Sequence, residues 1–181
     1  MSPKHLFQIP FSKGQIKNYK HISDVFTMDC LFHTLTALGL RHSEISYHDS
    51  MKMYKIKGDG VRVDYAGDYI SSLFDTKIKM VEHRAYTLSN IISKLENGHA
   101  TLVCGVYDHG CKNLSGHFFI IYKVNNEIYI YNPQSRYKPC ILNPIAESSH
   151  IKNLKCIIAY YNTNRIAARL NKDRLNNTIP F

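Results

Sequence analysis

The chain predicts an α+β fold, with helices of the N-terminal half packed on a mostly antiparallel β-sheet supplied by the C-terminal half. Helical apolar spacing is concentrated before residue 98, and β-rich runs succeed one another after it. Aromatic residues make up 12% of the chain, as 13 Tyr and 8 Phe with no Trp, and such side chains pack well on pleated surfaces. A length of 181 residues with 44% hydrophobic content suits one domain able to bury a core.

Residues 1–27 mix Pro, Gly, Lys and short apolar pairs without periodicity, which predicts an extended arm lying across the domain. The folded domain is expected over 28–162. From Met28, Leu31, Leu35 and Leu38 fall at helical spacing, with Asp29 as cap, Cys30 opening the helix and Gly39 as its stop. Residues 43–54 predict a second helix, capped by Ser43 and ended by the turn Gly58-Asp59-Gly60. Val63, Ala66, Ile70 and Phe74 predict a third over 62–74, followed by a strand at 77–81. Thr87, the apolar positions 88, 91, 92 and 95, and Gly98 predict a short helix over 87–97. Strands are expected at 100–107, 117–124, 127–131 and 155–161, with Asn125-Asn126 as a two-residue hairpin turn. Residues 163–181 carry Arg165, Arg169, Lys172 and Arg174 and read as a basic tail or terminal helix.

A net charge of +9 would attract nucleic acid, anionic membranes or an acidic protein, although the basic residues are mostly scattered, as general solubility also requires. The five cysteines, at 30, 104, 111, 140 and 156, are odd in number and lack a repeated CxxC spacing. Neither a disulfide framework nor a zinc ribbon is indicated, and free thiols in an intracellular, cytoplasmic setting fit better. No secretory h-region and no apolar run of membrane-spanning length is present, so membrane insertion is not expected. The Lys-, Ile- and Asn-rich composition points to an AT-rich genome, viral or of an intracellular bacterium, which would put the chain in a host cytoplasm or a virion.

The chemistry gathers around Cys30. A thiolate, not a thiol, is the attacking species, so a nucleophilic cysteine needs a helix N-terminus, an imidazolium, or both. Cys30 has the predicted helix start. A lone cysteine there is more often a small buried hydrophobe, but His117 opens the apolar strand Gly116-His-Phe-Phe-Ile-Ile-Tyr122, and the next strand ends in Asn132-Pro133-Gln134. A two-residue turn at 125–126 pairs residues whose numbers sum to 251, so Asn132 falls two residues from the partner of His117, on the same face. Base, nucleophile and an amide to orient the base make a Cys-His-Asn triad.

In that order and context, Asp29-Cys30 opening a helix, Gly116-His117 opening a strand and Asn132-Pro133-Gln134 closing the next resemble the papain-like cysteine peptidase clan. Within it the chain is most similar to the bacteriocin-processing peptidase domains of ABC exporters and to papain-fold toxin domains, over roughly residues 24–134. The resemblance implies a papain-like fold and a cysteine hydrolase: a thiol protease, an isopeptidase or deubiquitinase, or a related amidase. It implies a protein or peptide substrate, ubiquitin-like among the options, with no cofactor and no metal. Gly116 and Gln134 would border the substrate, as would the segment Gly105–Gly116. Those families often carry Asp where Asn132 stands, although papain-type enzymes use Asn. The oxyanion-hole Gln six residues before the cysteine is here Asp24, a carboxylate that cannot donate when ionised, with Gln15 as a substitute donor.

Three rival expectations stand beside it. Asp24 leaves room for a papain-like binding domain without turnover. Charge and tyrosines motivate a nucleic-acid-binding protein, without any recognisable motif for it. Asp108, His109, Cys111 and His117 gather ligand types suited to zinc, at a spacing that matches no established pattern.

Overall fold

Eight strands form one sheet in the computed structural model, which describes residues 5–12, 30–39, 66–68, 70–71, 77–84, 88–108, 110–111, 114–133, 140–141 and 154–162. In chain order these are β1 (His5–Leu6), β2 (Ile9–Pro10), α1 (Cys30–Ala37), β3 (Ile78–Arg84), α2 (Leu88–Lys94), β4 (His99–Asp108), β5 (Leu114–Val124), β6 (Glu127–Tyr131), β7 (Cys140–Ile141) and β8 (Leu154–Asn162). Strands dominate a mixed α/β content, and every pairing is antiparallel.

The backbone of the sheet runs β8-β4-β5-β6-β7, with β3 on the far side of β8. Asn125 and Asn126 both adopt positive φ, 51° and 61°, the left-handed pair that a type I′ turn requires. That turn sets the β5–β6 register from Val124↔Glu127 to Ile120↔Tyr131, each pair summing to 251 as the sequence predicts.

Both faces of the sheet are covered. Along β5, Phe118, Ile120 and Tyr122 join Leu31 and Leu35 of α1, and Leu38 just past its end, in one apolar cluster. Phe119 and Ile121 join Leu88, Ile91 and Leu95 of the α2 segment in the other. A strand buried on two faces has no polar side to alternate with, which explains the unbroken apolar runs of β4, β5 and β8. Ala66 and Ile70, helical as expected for 62–74, are fully buried on the α1 side.

Within the expected arm the described residues, 5–12, are extended and are built into the sheet; the rest of 1–27 lies outside the described residues. β4 and β8 pair directly only from Val103↔Ala159 onward. Where they part, β1 pairs with the end of β8 and β2 with the start of β4. Phe7, between them, donates its N–H to the Tyr160 carbonyl (2.8 Å) and accepts from the Thr101 hydroxyl (2.6 Å). Gln8 bonds both the Lys94 carbonyl and the Glu96 amide, tying the arm to the end of α2. The driving force is the apolar set Leu6, Phe7, Ile9 and Phe11, all buried.

Helix α2 ends earlier than the expected 97. Leu95 and His99 amides bond back to Ile92 and Glu96, and Gly98 at φ +75° turns the chain into β4. Strand β3 extends to Arg84, past the expected 81, because its whole length finds partners on β8. The expected helix at 43–54, the caps Asp29 and Thr87, and the basic segment 163–181 lie outside the described residues. Among the described residues no helix is long and apolar enough to cross a membrane.

Candidate active site

Cys30 is the first residue of α1 and is half-buried. Leu31, Leu35 and Leu38 anchor the helix on the sheet, and Gly39, at φ +78° with its N–H on the Thr36 carbonyl, ends it. Thr34, fully buried one turn after Cys30, fixes the helix start to β5. Its hydroxyl donates to the Cys30 carbonyl at 2.8 Å and lies 3.4 Å from the Phe118 carbonyl.

The decisive contact involves the same strand residue. The Phe118 N–H donates to Cys30 Sγ at 3.5 Å. The β5–β6 ladder stops at Ile120, two residues short of Phe118. The sulfur therefore meets β5 beyond the end of that ladder, one peptide unit from His117. A sulfur that accepts an N–H at a helix N-terminus is held where negative charge is favoured.

His117 pairs with Gly105 across β4 and shares its sheet face with Phe119 and Ile121, the face covered by α2, whereas Cys30 packs with Phe118 on the α1 face, so the two side chains can meet only around the edge of β5 beyond the β6 ladder. Its Nε2 atom is buried. Asn132 follows the last residue of β6. Continued by one residue, the register sets it opposite Phe119, on the His117 face. Its Oδ1 is buried without a hydrogen-bond partner among the described residues, a costly state for an amide oxygen. Pro133, also buried, has no N–H to extend the ladder.

The other cysteines have different surroundings. Cys104, on β4, is buried against the β5 side of the site. A Cβ built on Gly116 would lie 3.4 Å from its Sγ, and the thiol donates to the Gly105 carbonyl at 3.8 Å. Burial, helped by the nearby Cys30 and Cys156 thiols and partly offset by the neighbouring His117 N–H, pushes the Cys104 thiol up to about 12. Burial likewise raises Cys156, with Glu82 adding to the shift. Cys111 is exposed on the β4–β5 turn at φ 52°. Among the cysteines with described side chains, Cys30 alone combines partial exposure with a helix start and an amide donor.

Gly116 is exposed, and the Cys104 contact is an ordinary one, so the described neighbours leave it open on its outer side. The expected polar loop 105–116 is shorter than its sequence suggests. Gly105–Asp108 and Leu114–Gly116 belong to the β4–β5 ladder, which leaves only 109–113 between the two strands. Asp24, Gln15 and Gln134 lie outside the described residues, as does His109. Among the described residues no group of three His, Cys, Asp or Glu side chains could hold a metal ion.

Sequence reasoning isolated the side chains but not the main-chain donor. Nothing in a residue's identity marks its amide as free of a ladder; the stop at Pro133 was the available signal. No family model and no curated protein matches the chain.

Proposed function

We propose that this chain is a papain-like cysteine hydrolase in which Cys30 is the nucleophile, His117 its base and Asn132 the amide that orients the base. The Phe118 N–H on Cys30 Sγ carries the reading, because an amide donor at a helix N-terminus lowers the cost of the thiolate. Asn132 supports it: its buried Oδ1 needs a donor, and an Nε2–H of His117, on the same face of the adjoining strand, is of the right kind.

In the proposed reaction His117 removes the thiol proton and the sulfur attacks an amide carbonyl carbon. The tetrahedral intermediate collapses with breakage of the C–N bond. The amine leaves with the proton from His117, and Cys30 is left as a thioester. Water, deprotonated by His117, cleaves that thioester to a carboxylic acid and restores the thiol. Peptide bonds, ubiquitin-type isopeptide bonds and glutamine side chains all present the required carbonyl. No cofactor enters the balance.

The test is covalent labelling of wild type, Cys30→Ala and His117→Ala with a general cysteine-reactive electrophile and with ubiquitin-based probes. Labelling of wild type at Cys30, lost in Cys30→Ala and slowed in His117→Ala, is expected. Labelling at another cysteine, indifferent to His117→Ala, would overturn the proposal.

A further inference from the structure

Gly105 stands opposite His117 in the β4–β5 ladder, and the space its missing side chain leaves is filled. A Cβ at 105 would lie 2.9 Å from both Cε2 and the hydroxyl of Tyr107, and 3.0 Å from Cε1 of Phe119. The Tyr107 ring therefore lies along β4, across Gly105, on the face that carries His117. Directly opposed Cβ positions in such a ladder are about 4.5–5.5 Å apart, which brings the end of Tyr107 within side-chain reach of His117.

A second, independent feature directs the tyrosine there. The β4–β8 register slips between Val106 and Tyr107: Val106 pairs with Cys156, but Tyr107 pairs with Leu154, leaving Lys155 as the extra residue. A bulge of this kind twists the strands locally and re-aims the side chains beside it. The ring is half-buried, and the burial of His117 Nε2 on this face fits a wall of this kind.

We propose that Tyr107, laid across Gly105, is a positioning residue: its ring walls the His117 imidazole on the β4 side and leaves it the direction of the β5 edge, where Cys30 Sγ meets the Phe118 N–H. This deepens the hydrolase reading and rests on it. The ring supplies the wall, so phenylalanine can replace tyrosine, whereas a small residue cannot. A methyl at 105 acts differently, since it needs the volume the ring occupies and must push it aside.

The experiment measures the rate of Cys30 alkylation against pH by a small electrophile in full-length wild type, Tyr107→Phe, Tyr107→Ala, Gly105→Ala and His117→Ala, with thermal melting of each. Wild type shows a His117-dependent limb in the profile. Tyr107→Ala is expected to lower the neutral-pH rate on the order of tenfold to a hundredfold and to move the profile toward that of His117→Ala. Tyr107→Phe restores both rate and profile, and Gly105→Ala, where it folds, behaves like Tyr107→Ala. A Tyr107→Ala protein that melts lower but keeps the wild-type profile overturns the positioning role and leaves the hydrolase reading standing. A wild-type profile that His117→Ala does not change overturns both.

Discussion

Cys30 and Cys104 both lie against β5, at neighbouring positions, yet their surroundings are opposite in kind. Cys30 takes the Phe118 N–H at the start of a helix and is partly open to solvent. Cys104 lies inside the sheet and is buried, so its thiol is pushed up to about 12, an effect the nearby His117 N–H only partly offsets. A nearby amide does not by itself favour a thiolate. The helix start and access to water separate the two, because removal from water penalises a thiolate by more than a single N–H returns.

The comparison breaks most readily at the nucleophile. Cys30→Ala should abolish turnover of any amide substrate, a loss on the order of a thousandfold or more, while Cys104→Ala retains activity; hydrolysis by the two purified variants decides it. Equal losses would mean that the contrast in environment has no chemical consequence.

Stability should reverse the ranking. Cys104→Ser puts a hydroxyl into a buried apolar site and is expected to cost about 1–3 kcal/mol, whereas Cys30→Ser, half-exposed, should cost less; urea unfolding of both variants measures the difference.

Alkali tests the same asymmetry. A thiol whose folded pKa is raised from 9.0 to about 12 stays protonated after the unfolded chain has ionised. The folded state then holds the extra proton, so stability is fully present below about pH 9 and falls as pH rises toward 12. Tyr122 and Tyr131, also pushed up to about 12 by burial, act in the same direction from pH 10. Cys104→Ala should make the fall between pH 9 and 12 shallower, and denaturant midpoints across that range show whether it does.

The smallest effect concerns the hydroxyl that joins α1 to β5. Thr34→Val removes the donor to the Cys30 carbonyl with little change in volume and should cost about 1 kcal/mol. Cys30 labelling should slow with it if the helix start drifts from Phe118, and an unchanged labelling rate would show that apolar packing alone holds the sulfur in place.

Local chemistry made a good part of this legible in advance. Asn125-Asn126 announces a hairpin because asparagine tolerates the left-handed backbone, and from that turn the β5–β6 register follows by counting. Leu31, Leu35, Leu38 and Gly39 announce α1 and its end. The expected arm was harder, since 5–12 is too short to show a period, and only the gap between β4 and β8 turns its four apolar residues into a sheet filler. Tyr107 escaped notice because its importance depends on a glycine two residues earlier and on a register slip against a strand nearly fifty residues later.

By itself, then, the sequence picked out the residues of the proposed site by short-range spacing: a cysteine at a helix start, and a histidine and an asparagine on adjoining segments, although β5 begins at Leu114, before His117, and β6 ends at Tyr131, before Asn132. Only the tertiary structure decided that the Phe118 amide meets Cys30, that Cys104 stays a neutral thiol and that Tyr107 lies across Gly105. Those are outcomes of burial and of contacts between distant segments, and neither can be read from the neighbours of a residue in the chain.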